Sequence, residues 1–270
     1  FLMAGFAYLY LSTGSFDFNM LAGMPRVPLY LLLIGFAFKA GFVPFASWLP
    51  QAHPVAPAHV SGIMSAMMIK GGIYGIILIM ISNSFNLWEL LVFSLISIFT
   101  AFWGVIHAMI SSNLKRALAF SSIENIGIIG IALCVGLIGK DAGIPVMAAL
   151  GFAGAFMHIF FHSLFKALLF YLSGNVLCAA KTLEADMLGG LAKGMPRTAV
   201  YFAIAVAGIS ALPLGNGFIS EFSIYSGLLY AMPWGDLPAT VLGVVLLAGM
   251  AFVGALALIA FAKLFGIIFL

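Results

Sequence analysis

Apolar stretches about 20 residues long recur from end to end of this chain and leave no room between them for a water-soluble domain. A helix rising 1.5 Å per residue needs about 20 mostly apolar residues to cross a hydrocarbon layer about 30 Å thick. Read with that ruler, the sequence predicts about eight spans, roughly 1–12, 28–49, 58–81, 90–110, 117–138, 145–178, 199–230 and 239–270. The expected fold class is all-α, a polytopic transmembrane helix bundle in a lipid bilayer. Composition excludes a soluble alternative: 7% of the residues are charged, against about a quarter in soluble proteins. The chain begins at Phe1 without a basic leader and ends at Leu270 inside the apolar run 256–270. It therefore reads as one membrane domain over 1–270, a piece of a longer polytopic protein.

The connections are short and collect the charges. Arg26 and Lys140 fall on one side of the predicted bundle; Lys115, Arg116, Lys181, Lys193 and Arg197 fall on the other. The positive-inside rule places the second set, and the loop around His53, in the cytoplasm. The net charge of +3 bears only on this distribution, and no nucleic-acid partner is expected. Cys134 and Cys178 are isolated in apolar runs, so neither a metal site nor a disulfide framework is expected. No cofactor motif is present in the sequence.

Two spans are interrupted. Phe38-Lys39-Ala40-Gly41-Phe42-Val43-Pro44 and Ile209-Ser210-Ala211-Leu212-Pro213-Leu214-Gly215-Asn216-Gly217 each put proline and glycine inside an apolar run. Pro44 and Pro213 remove a backbone donor and clash with the preceding turn. A break at bilayer depth is tolerated where protein or water satisfies the freed groups. An ordinary packing kink is one reading. Two breaks, each beside an ionisable side chain (Lys39 and Glu221), point instead to the discontinuous helices of transporters. The span 145–178 is overlong: as one helix it would rise about 50 Å, so it must tilt, bend or project, and Gly151, Gly154 and Gly174 are candidate bending points.

Several titratable groups fall inside the spans. Lys39 lies about 16 Å along its helix, Lys70 about 18 Å along the next, and Glu124 about 10 Å into its own. An intramembrane lysine costs from about 3 to over 10 kcal/mol, so each requires a use or a partner. His158, His162 and Lys166 repeat at i, i+4 and i+8, on one helix face with about 6 Å of rise between neighbours. That exceeds a direct hydrogen bond, so a proton passing along them needs water or side-chain motion. Histidine titrates near neutrality, and a lysine taken out of water gives up its proton more readily. Glu124 and Glu221 are candidates for the same path or for ion pairs with an intramembrane lysine. Glu89, Asp17, Asp141 and Asp236 read as solvated helix ends, Lys115 and Arg116 as cytoplasmic anchors, and His107 as a packed or interfacial histidine. Lys263 lies deep in the last apolar run.

These residues resemble a known family. Phe38 to Gly41, Trp48-Leu49-Pro50-Gln51-Ala52-His53-Pro54-Val55-Ala56-Pro57, Ser61 to Gly75, Leu114 to Ser122, His158 to Phe170 and Gly217 to Phe222 are similar to the proton-translocating antiporter-like subunits of respiratory complex I and the Mrp antiporters. The stretch from Trp48 to Gly75, with Ser121-Ser122-Ile123-Glu124-Asn125, is most similar to the formate hydrogenlyase and hydrogenase-4 component B branch. The resemblance implies inverted repeats with two discontinuous helices, residues 1–81 closing the first repeat and 82–270 forming the second. It implies a proton relay of Lys39, Lys70, His158, His162, Lys166 and Glu221. Glu124 departs from the complex I pattern and favours the hydrogenase branch. The family's acid partner for Lys39 belongs to an earlier helix that this chain lacks.

Three functions follow as expectations. The first is a proton-translocating subunit, itself free of redox cofactors, working with other membrane and peripheral subunits of a hydrogenase or NADH:quinone oxidoreductase-like complex in a bacterial or archaeal cytoplasmic membrane. The second is a Na+/H+ antiporter subunit, which needs oxygen ligands of the kind Glu124 and Glu221 offer. The third is a non-conducting anchor of a redox complex.

Overall fold

The computed structural model describes residues 1–15, 17, 21–213, 215–231 and 237–270, with backbone only at 231 and 237–239. Asp236 and Leu214 lie outside the described residues. The helices are α1 (Leu2–Thr13), α2 (Arg26–Ala40), α3 (Trp48–Val55), α4 (Ala58–Ser82), α5 (Leu87–Ile110), α6 (Leu114–Asp141), α7 (Pro145–Ala180), α8 (Pro196–Ile209), α9 (Asn216–Ala231) and α10 (Leu237–Phe269). No strand occurs among the described residues. Helices cover all eight predicted segments, two of them in pairs, α2 with α3 and α8 with α9, and six helical stretches are long and apolar enough to cross a membrane among the described residues. The bundle is an all-α membrane fold with two discontinuous helices.

Helix ends follow local chemistry. Asn86 Oδ1 accepts from Glu89 N–H while Glu89 accepts from Asn86 N–H, a reciprocal cap that starts α5. Glu89 is also held by Arg26 at 3.3 Å and by the Tyr30 hydroxyl, so this helix-end acid is engaged rather than merely solvated. Asn113 caps α6, and Pro145 and Pro196 open α7 and α8, where a missing N–H costs nothing.

α6 is buried on all sides, almost without interruption from Leu114 to Gly139. Such a helix belongs at the centre of a bundle, and α6 packs against α5 and α7 along its length. Close approach is made by glycines. A Cβ on Gly104 would lie 2.3 Å from Glu124 N, and one on Gly151 would lie 2.2 Å from Gly136 N. α7 runs as one helix through Gly151, Gly154 and Gly174, which are used where α6, α9 and the start of α4 press against it. Small residues let membrane helices gain contact without a hydrophobic driving force between them.

The charge partition matches the end contacts. Arg26 donates to Ser84 O at 3.1 Å and Lys140 to Ile81 O at 3.4 Å, joining one end of the bundle. At the other end Leu114 N–H donates to Leu183 O, Ala185 N–H to Ser112 O, and Lys263 to Met109 O. Thus Lys263 reaches the last turn of α5 and is exposed on its own helix. Lys115 departs from the anchor expected of it: it is 2% exposed and donates to Ala56 O at 2.6 Å, tying α6 to the segment between α3 and α4. A hydrogen bond from a charged group contributes about 1.5–3 kcal/mol. Lys115→Met keeps the stem and loses the bond, so the unfolding midpoint of the purified full-length protein in detergent should fall by about 3–10 °C. An unchanged midpoint would remove this role. Arg116 lies over Phe120, and His107 packs between Trp103 and Phe120 with Nδ1 at 2.8 Å from Trp103 O.

Candidate functional site

At both breaks protein groups take up backbone donors that the interruption frees. α2 stops at Gly41, whose φ of 91° lies in the left-handed region that glycine adopts without strain; its N–H donates to Ala37 O. Val43 N–H donates to Thr100 Oγ1 at 3.2 Å, and Trp48 Nε1 donates to Phe38 O at 3.0 Å. Pro44 therefore lies inside the break, between Gly41 and the restart at Trp48. The second break follows Ile209. Ala211 takes a φ of 49°, Leu212 N–H donates to Ala207 O, and Pro213 lies three residues before α9 begins. Ser210 Oγ is buried there without a partner.

On α7 the spacing places His158, His162 and Lys166 as read: all three are buried, at 4%, 2% and 0% exposure. The two imidazole centroids are 6.4 Å apart, so no direct bond links them. The direct contacts come from other helices. Lys70 on α4 places Nζ 2.6 Å from His162 Nδ1 and 2.6 Å from Ser65 O. A wide π turn, Met64–Met68, precedes Lys70. Such turns shift the hydrogen-bond register, and here a carbonyl within the turn accepts from the ammonium. Ser65 Oγ in turn pairs with Ser122 Oγ of α6 at 2.8 Å.

The state of His158 follows from its neighbours. Asn125 Nδ2 donates to Ser121 O at 2.7 Å, which leaves Oδ1 to accept from His158 Nε2–H at 3.0 Å. Neutral His158 is then an acceptor at Nδ1, where Ser220 Oγ stands 3.0 Å away. Ser220 can instead donate to Gly217 O at 2.8 Å. When His158 gains a proton, Nδ1 donates and the serine hydroxyl turns to Gly217. Sequence reading missed Asn125 and Ser220; only their adjacency to Glu124 and Glu221 marked them.

Lys166 donates to Leu118 O at 2.9 Å and to Ser121 Oγ, and it stands 5.6 Å from the centroid of the Phe261 ring. Glu124 and Glu221 are both buried. Glu124 Oε2 has no hydrogen-bond partner, and Glu221 Oε2 points to Gly254 of α10. Neither acid is within ion-pair distance of a lysine among the described residues, so the ion-pair alternative is not realised there. His162 Nε2 also lacks a partner. Lys39 is exposed on α2, its Nζ 3.6 Å from where a Cβ on Gly71 would lie, beside Lys70. Buried polar atoms without protein partners call for water, and here they interleave with the basic groups.

Two broken helices around a central helix, with a buried Lys/His row crossing between them, define a multi-pass membrane protein of the antiporter-like type. The family model described as NADH:quinone oxidoreductase/Mrp antiporter, TM, matches residues 1–248, and the chain belongs to this family. It is 35% identical to hydrogenase-4 component B of Escherichia coli (strain K12) over 99% of its length and 41% of the relative's. It is also 35% identical to formate hydrogenlyase subunit 3 of the same organism, over 95% of this chain and 43% of that one. The structure of the Mrp complex from Dietzia sp. DQ12-45-1b contains a chain that superposes with a TM-score of 0.81 at 26% identity, covering 100% of this chain and 48% of that one. The chain thus spans less than half the length of these relatives.

Proposed function

We propose that this chain is the proton-translocating part of a membrane subunit of a hydrogenase or NADH:quinone oxidoreductase-like complex, in a bacterial or archaeal cytoplasmic membrane. The observation that carries the reading is the 2.6 Å contact between Lys70 Nζ and His162 Nδ1. Two protonatable groups from different helices share a hydrogen bond out of bulk water, and a proton can pass between them without rearrangement. From Lys39 the path runs to Lys70 and His162. Through water it then reaches His158 on one side and Lys166 on the other, with Glu124 and Glu221 as the acids that receive or return the charge. Other membrane and peripheral subunits supply the driving redox step. Residues 1–81 close one repeat and 82–270 form the second, so that each half contributes one broken helix.

The test is proton movement in proteoliposomes holding the assembled complex. Lys39→Ala and Glu221→Gln are each expected to slow translocation at least about tenfold, as loss of one proton-transfer group from the path implies. Translocation equal to wild type in both supports the non-conducting anchor. A dependence on sodium that survives a protonophore supports the antiporter, for which the free oxygen of Glu124 is the available hard ligand.

Ser220→Ala should have a smaller effect. It removes the hydroxyl that faces His158 Nδ1, and translocation should fall about two- to tenfold with assembly unchanged. A rate equal to wild type would remove Ser220 from the path.

A further inference from the structure

His53 was expected only to mark a cytoplasmic loop, yet it lies inside α3 and is 0% exposed. Neither ring nitrogen has a hydrogen-bond partner. Its ring stacks on Phe170, centroids 4.5 Å apart and planes at 15°. Phe170 follows Lys166 by four residues, so it continues the face of His158, His162 and Lys166 about 6 Å further along α7. His53 therefore stands at the level where the next member of the row would be, supplied by a different helix. That level lies toward the end of the bundle that carries Lys115, Lys181 and Lys193. The charged groups within electrostatic reach of His53, from every element packed against it, are Lys166 on α7 and Lys115 on α6. Its backbone is pinned: Ser61 Oγ donates to His53 O at 3.1 Å, and Lys115 ties down Ala56 just beyond.

A histidine kept for packing alone would leave two buried polar atoms unsatisfied, where phenylalanine or methionine would fill the same space without them. Water at Nδ1 and Nε2 would satisfy them and would at the same time join the ring to Lys166. We propose that His53 is a further proton carrier, connecting Lys166 to the end of the bundle that bears the cationic loops. This rests on the proton-transfer reading above. It extends that path past the last basic group of α7, where the residue on α7 itself, Phe170, cannot hold a proton.

The experiment compares wild type, His53→Phe, His53→Gln and Lys166→Met in the full-length protein within its assembled complex. It reads proton translocation per assembled complex in proteoliposomes and the unfolding midpoint in detergent. His53→Phe keeps the stack and His53→Gln keeps the bonds to water; neither can carry a proton. Both are expected to translocate at least about fivefold more slowly than wild type, with midpoints equal to or above it. If either translocates within about twofold of wild type while Lys166→Met does not, His53 carries no proton and the proton-transfer reading stands. If Lys166→Met also translocates like wild type, both readings fall. A lowered midpoint with normal translocation assigns His53 to packing and overturns the proposal.

Discussion

Lys166→Met is expected to lower proton translocation by the assembled complex on the order of a hundredfold, the range that loss of one positioned proton-transfer group commands. Lys166 is fully buried, and the structure spends two oxygens on it, Leu118 O and Ser121 Oγ. Methionine matches the stem and removes only the ammonium. Without it the row on α7 ends at His162, whose Nε2 has no protein partner to pass a proton to. The stability readout separates this from a folding defect. Lys166 lies wholly out of water in the middle of α7 with no acid at ion-pair distance among the described residues, so methionine also removes the cost of holding a charge there. Lys115, at the end of the bundle, does not bear that cost in full. The midpoint of Lys166→Met should therefore hold or rise while translocation is lost. Translocation by Lys166→Met within about twofold of wild type would sink the proton-relay reading.

Gly151→Ala should be among the most damaging methyl groups that can be added to the described helices outside the site. Its Cβ would lie 2.2 Å from Gly136 N, and backbone cannot move aside as a side chain can. Overpacking costs about 3 kcal/mol or more in such a place, which exceeds the roughly 1 kcal/mol that alanine gains over glycine in a helix interior. The consequence reaches the site, because α7 must lie this close to α6 for Lys166 to meet Leu118 O and for His158 to meet Asn125. The expected result is a midpoint lowered by at least about 4–8 °C, with translocation reduced in parallel. Gly266→Ala is the control: nothing lies within 4 Å of that Cβ, and its midpoint should stay level or rise slightly. Equal midpoints for the two variants would contradict the close α6–α7 crossing.

The spans were legible because burial in lipid requires long apolar runs, and the structure extends each predicted run by only a few residues. The breaks were legible because Gly41, Pro44 and Pro213 interrupt those runs. The row of His158, His162 and Lys166 was legible because helical periodicity alone puts them on one face. Several features were not. Lys115 looked like an anchor because its position at a helix start is the same whether it faces water or Ala56 O. Glu124 and Glu221 could have been ion-paired, and only the packing distances show them apart from the lysines. Gly151 and Gly154 looked like hinges, since a glycine that bends a helix and one that admits a neighbour read alike.

Sequence by itself determined the membrane, the order of the helical segments along the chain, the two interruptions and the stripe on α7. Each of these is a property of one helix, set by local hydropathy, periodicity and backbone chemistry. Tertiary structure alone decided that Lys70 meets His162 at 2.6 Å, that Asn125 and Ser220 define the state of His158, and that His53 stacks beyond Lys166. These contacts join residues 33 to 117 positions apart, and which residues meet depends on the depth and rotation of one helix against another. Close packing through glycines sets both.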